Sequence, residues 1–437
     1  MDIITVKFGG SSLADAEHFR KVADIVKADP RRRFVVASAP GKRGDGDTKV
    51  TDLLYRCYDA AVAGGNWKSI LGQIKERFAD IIRDLELDFP LDEAIDAIAA
   101  HLQGQPSRDY MASRGEYLNS RILAAYLGFP FFDAAKLVRF SPEGVFEEDS
   151  TNTLIGAALD GVDCGVIPGF YGATAGGTVY TFSRGGSDVT GALVARGVKA
   201  AVYENWTDVS GMLFTDPHIV PDPRPIEYIT YRELRELAYM GASVLHEDAV
   251  FPVRKANIPI NIRNTNRPGD AGTWIVGAVP ENQRTPTVTG VAGKRGFCSV
   301  NVEKSSMNNE IGFGKKLLEC FAECGLSFEH CPTGIDTMSV IVSSAQFHEK
   351  KDAVTEKILT RLHPEYLTIE DGMALVAVVG HGMVASRGVA ARIFRTVADA
   401  GVNIRMIDQG SSELNIILGV DDADLEETIR SIYREFR

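Results

Sequence analysis

Two glycine-rich segments carry residues suited to binding phosphate. The first reads Lys7-Phe8-Gly9-Gly10-Ser11-Ser12 and directly follows an apolar run that predicts a strand. The two glycines let backbone amides approach a phosphate closely, the start of the following helix attracts an anion, and Lys7 adds a positive charge. The segment lacks the G-x-x-x-x-G-K-[ST] spacing of a P-loop. Taken alone, it is as readily a simple strand-to-helix turn as a phosphate site.

The second glycine segment reads Ser183-Arg184-Gly185-Gly186-Ser187-Asp188 and opens a predicted helix. The guanidinium of Arg184 has a geometry suited to a carboxylate, and the backbone amides suit a phosphate. Asp188 could equally be an ordinary helix N-cap. Two such loops in one domain favour phosphoryl transfer more than either loop alone.

Two further segments contain acidic residues. Ser113-Arg114-Gly115-Glu116 lies within a predicted helix, where a lone glutamate is usually exposed. Trp206-Thr207-Asp208-Val209-Ser210-Gly211 follows a predicted strand and is followed by Phe214-Thr215-Asp216-Pro217. Ser-Gly and Asp-Pro pairs mark turns, so a plain loop is the simplest interpretation of this region.

An alternation of strands and helices must position these segments. Strands are predicted at 3–8, 34–38, 129–133, 166–170, 200–204 and 258–262, and helices at 14–27, 50–63, 67–102, 108–127, 187–197 and 231–256. Such alternation gives a mostly parallel sheet with helices on both faces. Ligands of these folds bind at the carboxyl ends of the strands, which is where the glycine loops lie.

The C-terminal third contains an internal repeat. Val300–Val302 matches Val376–Val378, and Gly312–Leu318 matches Gly388–Phe394. Each unit predicts a strand, an amphipathic helix, two strands and a second helix, with a further strand from the region of Thr368 or from a neighbour. These ferredoxin-like units resemble tandem ACT domains, which bind amino acids in metabolic enzymes.

One motif in the second repeat imitates a dinucleotide fingerprint. Gly380-His381-Gly382-Met383-Val384-Ala385 follows an apolar strand and fits G-x-G-x-x-A. The matching segment of the first repeat, Lys304–Asn309, has no glycine, and too few residues follow for a complete mononucleotide-binding half. We therefore discount a dehydrogenase.

Composition narrows the classes of partner. The 437 residues include 42 glycines, and 59 acidic against 47 basic residues give a net charge of -12. An acidic surface repels nucleic acid and anionic membranes, so neither is expected as a partner. The N-terminus shows no signal-peptide pattern, and the six cysteines show no paired spacing. A cytoplasmic protein without a metal-ligand set of its own is expected.

Taken in order, the four segments KFGGSS, SRGE, SRGGSD and WTDVSG, followed by two ACT-like units, resemble the aspartokinases. These enzymes use ATP to phosphorylate the side-chain carboxylate of L-aspartate. The resemblance covers essentially the whole chain. It implies an α/β fold in which an amino-acid-kinase-like αβα sandwich with a mostly parallel sheet (1–284) precedes two ferredoxin-like βαββαβ ACT domains (285–366 and 367–437).

The resemblance also implies roles for individual residues. On the aspartate side, Thr51 touches the substrate, Glu116 accepts its ammonium group and Arg184 holds its α-carboxylate. The nucleotide-binding residues are Lys7, Gly9, Gly10, Ser11, Thr207, Asp208 and Asp216, and Gly185, Gly186 and Ser187 join the substrate site. Asp188 lies beside the transferring phosphoryl group, so Lys7, Arg184 and Asp188 form the catalytic set.

Some residues depart from the family pattern. Phe182, Ser183, Leu213, His218 and Ser243 stand where many members carry other residues, and all lie toward the nucleotide side. The residues that match the aspartate contacts are intact. The departures therefore affect the nucleotide pocket rather than the reaction.

Cofactor and regulation follow from the same resemblance. Mg²⁺ is expected to bind through the nucleotide, without a dedicated protein site. Feedback by L-lysine, or by L-threonine, is expected at an effector site formed by Met307, Glu310, Gly312, Phe313, Phe328 and Glu329. A homodimer or homotetramer joined through ACT domains is also expected. The reaction would then be the first step of lysine, threonine and methionine biosynthesis.

Two other functions stay open at the level of sequence. One is a kinase of the same superfamily that acts on a different acceptor, such as glutamate, acetylglutamate or UMP. The other is an amino-acid sensor that has lost catalysis. The intact Lys7, Glu116, Arg184 and Asp188 argue against the sensor, whereas the departures on the nucleotide side argue weakly for it.

Overall fold

The computed structural model describes residues 2–183, 185–242, 245, 249–283 and 285–437. The chain forms two compact units, each made of discontinuous segments. The first comprises Met1–Met212, Pro225–Tyr231 and Val244–Val279, and the second comprises Leu213–Arg224, Arg232–Ser243 and Pro280–Arg437. The sequence predicts a single boundary after residue 284. In the structure, residues 213–224, 232–243 and 280–284 cluster with the C-terminal unit instead.

A seven-stranded sheet forms the centre of the first unit. The strands of this unit are β1 (Ile4–Phe8), β2 (Arg32–Ala37), β3 (Gly165–Pro168), β4 (Tyr171–Ala173), β5 (Val179–Thr181), β6 (Val202–Thr207), β7 (Tyr228–Thr230), β8 (Ile260–Asn264) and β9 (Thr273–Val276). Their order in the large sheet is β3-β2-β1-β6-β8-β9-β7, while β4 and β5 form a separate hairpin. All neighbours pair in parallel except β8 and β9, which confirms a mostly parallel sheet.

Helices of the first unit cover this sheet. They are α1 (Ala16–Ala28), α2 (Val50–Val62), α3 (Trp67–Asp84), α4 (Leu91–Gln103), α5 (Arg108–Leu127), α6 (Ala134–Leu137), α7 (Glu148–Leu159), α8 (Gly186–Gly197) and α10 (Val250–Lys255), while α9 (Tyr231–Tyr239) belongs mostly to the second unit. Because side chains alternate along β1, Val6 and Phe8 join the core beneath α1, whereas Lys7 faces the side of α8. Gly191 of α8 lies against the Tyr203 ring on that side.

Three predicted elements differ in the structure. The helix predicted at 67–102 is two helices, because Glu86 adopts a left-handed φ of 56° and Pro90 precedes α4. The strand predicted at 129–133 is a single bridge between Phe131 and Val166, since Pro130 has no N–H for a ladder. The helix predicted at 231–256 is two shorter helices in the described residues, α9, which ends just before Gly241 with a φ of 93°, and α10.

The second unit contains a five-stranded antiparallel sheet. Its strands are β10 (Gly290–Glu303), β11 (Thr337–Ser343), β12 (Tyr366–Val379), β13 (Met406–Asp408) and β14 (Asn415–Asp421), and its further helices are α11 (Phe313–Ala322), α12 (Ser344–His348), α13 (Lys351–Leu362), α14 (Val389–Asp399) and α15 (Leu425–Phe436). The strand order is β11-β10-β12-β14-β13. In the described part of the chain, no helix combines the length and the apolar character needed to cross a membrane.

The two long strands β10 and β12 serve both repeats at once. The second half of β10 (297–303) pairs with β11 and with the first half of β12 (366–373), and this part covers the apolar core under α11 and α13. The first half of β10 (290–294) pairs instead with the second half of β12, which continues to β14 over the core under α14 and α15. The extra strand expected near Thr368 is thus present, as the first half of β12, and it completes the first repeat. The corresponding extra strand of the second repeat is the first half of β10, which precedes the first repeat in sequence.

The glycines of the false dinucleotide motif have a structural explanation. A Cβ atom at Gly380 would lie 2.4 Å from the Thr287 carbonyl oxygen, and one at Gly382 would lie 2.2 Å from that of Pro286. Real Cβ atoms do not come this close to a carbonyl oxygen. The two glycines therefore admit a neighbouring backbone segment of the second unit.

Candidate active site

A cleft of about 840 Å³ opens in the first unit where β1 and β2 end and α8 begins. Nine residues of the predicted site line this cleft, namely Lys7, Gly9, Gly10, Thr51, Glu116, Gly185, Gly186, Ser187 and Asp188. They come from four separate segments of the chain. The fold therefore brings together both glycine loops, the Thr51 segment and the Glu116 segment, as the order of the motifs predicted.

An ion pair lies between the two glycine loops. The Lys7 Nζ atom, at the end of β1, lies 2.6 Å from a carboxylate oxygen of Asp188 in the first turn of α8, and both side chains are largely buried. Asn205, the register partner of Lys7 on β6, donates a hydrogen bond of 2.8 Å to Asp188 Oδ1. Tyr203 on the same strand donates a hydrogen bond of 3.1 Å to the Asp188 carbonyl. Asp188 is thus held by Lys7 from β1 and by Asn205 and Tyr203 from β6.

The first glycine loop is folded tightly against the end of β2. A Cβ atom at Gly10 would lie 2.8 Å from the Ala39 carbonyl oxygen, so any larger residue would displace one of the two segments. The loop continues as a 3-10 helix (Gly10–Leu13) and then as α1, whose N-cap Asp15 accepts a hydrogen bond from the His18 amide. Ser11 is exposed and does not line the cleft.

The second glycine loop leads directly into α8. Gly185 has a left-handed φ of 74°, and a Cβ atom at Gly186 would lie 2.7 Å from the Phe170 ring. The first amides of a helix have no partner within the helix, so those of α8 can bind an anion in the cleft. Arg184, predicted to bind the α-carboxylate of aspartate, lies outside the described residues.

Glu116 is buried, contrary to the usual position of a lone glutamate on a helix. Most of α5 packs inside the unit, and Gly115 lets it approach closely, since a Cβ atom there would lie 2.7 Å from Ala39 Cβ. Burial raises the pKa of Glu116 to about 8, against smaller opposing effects of backbone hydrogen bonds and of Arg114. No described residue bonds to its buried Oε2 atom. A carboxyl group in this state is suited to a cationic ligand that enters the cleft.

Sequence reasoning missed about half of the lining. The additional residues are Ser38, Lys49, Asp52, Tyr55, Arg108, Phe170, Thr181, Phe182 and Ser183, the last two noted only as departures from the family pattern. Arg108 lies over the Tyr55 ring at 4.1 Å, and neither Lys49 nor Arg108 forms an ion pair with any described residue. The proximity of Lys49 to Thr51 in sequence was the available signal.

Three residues predicted on the nucleotide side lie apart from this lining. Thr207 ends β6 and donates a hydrogen bond of 3.1 Å to the neighbouring Asp208. Asp216 belongs to the second unit, where its carboxylate accepts a hydrogen bond of 2.8 Å from the His218 amide. Ser243 lies outside the described residues.

The residues predicted to bind an effector all belong to the second unit. Met307 and Phe313 are buried in the core of the first repeat, and Gly312 has the left-handed φ of 82° that starts α11. Glu310 is bonded to both Lys304 and Lys316 at 2.7 Å, and these hydrogen bonds lower its pKa to about 2. Phe328 is half exposed, and Glu329 accepts a hydrogen bond from the Tyr239 hydroxyl.

Comparison with known proteins identifies both units. Residues 2–264 match the model of the amino acid kinase family, and residues 376–436 match that of an ACT domain. Aspartokinase 3 of Bacillus subtilis is 39% identical over 99% of this chain and 98% of its own length.

Solved structures give the same result. The aspartate kinase of Clostridium acetobutylicum superposes with a TM-score of 0.91 at 44% identity over the full length of both chains. Aspartokinase III of Escherichia coli, 25% identical, matches with TM-scores of 0.72 in a complex with aspartate and ADP and 0.74 in a complex with lysine and aspartate, each over 99% or more of both chains.

Proposed function

This chain belongs to the aspartokinase family, and we propose that its cleft transfers the γ-phosphoryl group of ATP to the side-chain carboxylate of L-aspartate, giving 4-phospho-L-aspartate. The observation that carries this assignment is the Lys7 ammonium held 2.6 Å from Asp188 between two glycine loops. A fixed cation flanked by backbone amides is what a transferring phosphoryl group requires.

The reaction needs no strong general base. The side-chain carboxylate of aspartate is already ionised at neutral pH and attacks phosphorus directly. The main obstacle is the approach of two anions, so the protein must align them and neutralise their charge. Lys7 and the amides of the two glycine loops perform both tasks. No side chain of the cleft is assigned to proton transfer.

Asp188 positions Lys7. Without this carboxylate the ammonium of a flexible lysine would sample many rotamers, whereas the ion pair and the hydrogen bond from Asn205 hold it in one place. The negative charge of Asp188 is balanced by Lys7, which limits its repulsion of the phosphates.

Glu116 receives the substrate ammonium group. The ammonium supplies the charge and the hydrogen bond that the buried Oε2 atom lacks among the described residues. Thr51, at the start of α2, lines the same cleft and can bond to the bound amino acid. Arg184, outside the described residues, keeps its predicted role of binding the α-carboxylate.

The nucleotide side is assigned from the family resemblance. Gly9 and Gly10 form the cradle of the phosphates, with Gly185, Gly186 and Ser187 opposite, and Ser11, Thr207, Asp208 and Asp216 are assigned to the nucleotide. At Gly10 and at Gly186 a Cβ atom would meet protein atoms within 3 Å, so only glycine lets both loops keep their path along the cleft with their amides available. Mg²⁺, bound through the nucleotide phosphates, would add positive charge to the transferring group.

The reaction is tested by incubating the chain with ATP, Mg²⁺ and L-aspartate in the presence of hydroxylamine. Trapping of the acyl phosphate as a hydroxamate, dependent on aspartate, is expected. Glutamate, acetylglutamate and UMP serve as alternative acceptors in a parallel measurement of ADP release. ADP release with one of these and not with aspartate would contradict the assignment.

Regulation is proposed for the second unit. We assign residues 1–284 to catalysis, 285–366 to a first ACT domain and 367–437 to a second, with L-lysine as the effector and L-threonine as the weaker alternative. Glu329 is the carboxylate available to an effector ammonium, because Glu310 already has two lysine partners. In the E. coli relative, a complex with lysine supports this choice.

A homodimer or homotetramer joined through ACT domains is proposed as well. Ile311, Phe328 and Ile335 of the first repeat are large apolar side chains with exposures of 98, 47 and 71%. Exposed apolar groups of this kind would be buried in an interface with a second copy of the chain. Light scattering coupled to size exclusion measures the oligomer. The role in lysine, threonine and methionine biosynthesis and the cytoplasmic location stay predictions of the sequence.

A further inference from the structure

The loop between β2 and α2 (residues 41–49) is fastened by one buried side chain. Arg77, on α3, is only 4% exposed and does not line the cleft. Its guanidinium donates to the Asp47 carboxylate near one end of the loop and, at 2.6 Å, to the Gly41 carbonyl at the other end. It also donates to the Ala14 carbonyl at 3.2 Å. One arginine thus joins both ends of the loop to the segment that follows the first glycine loop.

The start of this loop touches the first glycine loop directly. The Gly41 amide donates a hydrogen bond of 2.8 Å to the Gly10 carbonyl. A Cβ atom at Gly41 would lie 2.6 Å from the Gly10 carbonyl carbon, so the two backbones are in the closest possible contact. A displacement of Gly41 would therefore displace Gly10, which lines the cleft.

The end of the loop carries a cation into the cleft. Lys49 lines the cleft two residues before Thr51, and no described carboxylate lies within ion-pair distance of its ammonium. ATP and aspartate are both anionic, so a cation without a protein partner at this position is available to a substrate oxygen.

From this geometry we infer that Lys49 contacts an anionic oxygen of a substrate and that Arg77 is a positioning residue, which holds Lys49 and Gly10 in place through the 41–49 loop. The inference rests on the proposed function of the cleft. A carboxylate of aspartate and a phosphate of ATP both present anionic oxygens that a lysine ammonium can bind. Misplacement of a substrate contact by about 1 Å can lower a rate about 100-fold, so a residue outside the cleft can have a large effect.

The test is a double-mutant cycle on the full-length chain. Wild type, Arg77→Lys, Lys49→Met and the double variant are compared by steady-state ADP release, varying ATP and aspartate in turn. Arg77→Lys keeps the charge but loses the planar fork, which serves three acceptors at once. Each single variant is expected to lower kcat/KM roughly tenfold or more. The double variant is expected to lose less than the product of the two single effects, because the part of the Arg77 effect that acts through Lys49 is already lost in Lys49→Met. A rise in KM for aspartate assigns the oxygen to the carboxylate, and a rise in KM for ATP or a fall in kcat assigns it to the phosphates.

Two matched variants separate positioning from general loss of structure. Asp47→Asn weakens the bond between Arg77 and the loop from the loop side, and it is expected to reproduce the effect of Arg77→Lys. If Arg77→Lys does not fold, Asp47→Asn takes its place in the cycle. Arg83→Lys, on the exposed side of α3, should match wild type in both kinetics and melting temperature. Wild-type kinetics for Lys49→Met, or multiplied effects in the double variant, would overturn the inference. A wild-type chain that releases no ADP with aspartate would instead refute the proposed function itself.

Discussion

The Lys7 ammonium and the Asp188 carboxylate meet at 2.6 Å, although 180 residues of chain lie between these two positions. Parallel pairing of β1 with β6, and the packing of α8 on the same face of the sheet, bring them together. The pair places one cation between two glycine loops. It defines the point of the cleft where phosphoryl chemistry is expected.

Replacing Lys7 tests this point. Lys7→Ala removes the positive charge nearest the glycine loops, and kcat is expected to fall about 100-fold to 1000-fold with little change in KM for aspartate. Steady-state ADP release measures both constants. Lys27→Ala, an exposed lysine of α1, is the matched control and should match wild type. Near-normal kcat for Lys7→Ala would contradict the assignment.

The pKa of Glu116 predicts how aspartate binding depends on pH. Burial raises this pKa to about 8, so the carboxyl group is mostly neutral at neutral pH and must ionise to bind an ammonium group. KM for aspartate is expected to fall up to about tenfold per unit as pH rises from roughly 6.5 to 8. Glu116→Gln should raise KM and abolish this slope, whereas Glu93→Gln on α4 should change neither. A slope that survives in Glu116→Gln would show that another group titrates.

The same pKa predicts an effect on stability. Between the ordinary pKa of 4.5 and about 8, Glu116 is ionised in the unfolded chain and neutral in the folded one. Folding then takes up a proton, so this contribution is complete below pH 4.5 and is lost as pH rises toward 8. Glutamine avoids the loss, and Glu116→Gln is expected to stabilise the chain by about 1–3 kcal/mol at pH 8. Urea unfolding of wild type and Glu116→Gln at pH 5 and pH 8 measures the difference in their free energies of unfolding. A stabilisation by Glu116→Gln that is no larger at pH 8 than at pH 5 would contradict the prediction.

Gly10 tests the fit between the first glycine loop and the end of β2. Gly10→Ala places a Cβ atom 2.8 Å from the Ala39 carbonyl oxygen, so one segment must move. A fall in kcat/KM of about 100-fold is expected, with a loss of about 1–3 kcal/mol in stability. Gly44→Ala is the matched control, because a Cβ atom there has no neighbour within 4 Å. Equal behaviour of the two variants would show that the contact tolerates a methyl group.

Inhibition by lysine tests the regulatory assignment. Millimolar L-lysine is expected to inhibit, and L-threonine less so. Glu329 accepts a hydrogen bond from Tyr239, which an effector ammonium would have to replace. Tyr239→Phe should therefore lower the inhibitory lysine concentration several-fold, and Glu329→Gln should raise it. Indifference of the wild-type enzyme to both amino acids would refute the assignment.

Much of the fold and of the site could be predicted from the sequence, because the informative residues are local. The glycine loops follow strands directly, and α5 was predicted with the bounds that the structure shows. The burial of Glu116 could not be predicted. It depends on α5 being enclosed by other segments, including the contact of Gly115 with Ala39, which no pattern within α5 reveals.

The three bonds that Arg77 makes to Ala14, Gly41 and Asp47 could not be predicted for a similar reason. Arg77 lies in an amphipathic helix, and its three acceptors, at Ala14, Gly41 and Asp47, are distant in sequence. Two of the three are backbone carbonyls, which have no signature in the sequence. The repeat in the C-terminal third was found readily, whereas the sharing of β10 and β12 was not, because the same alternating pattern suits a strand in either repeat.

The sharing of β10 and β12 has a consequence for protein engineering. The second repeat obtains one strand (290–294) from a segment that precedes the first repeat, so the first repeat is inserted within the second, and each long strand is shared by both. A cut at residue 366 would leave the first repeat with an open sheet edge, and exchange of either repeat with that of a relative would leave a strand without its partner. Transplants that alter effector choice should therefore take residues 285–437 as one cassette.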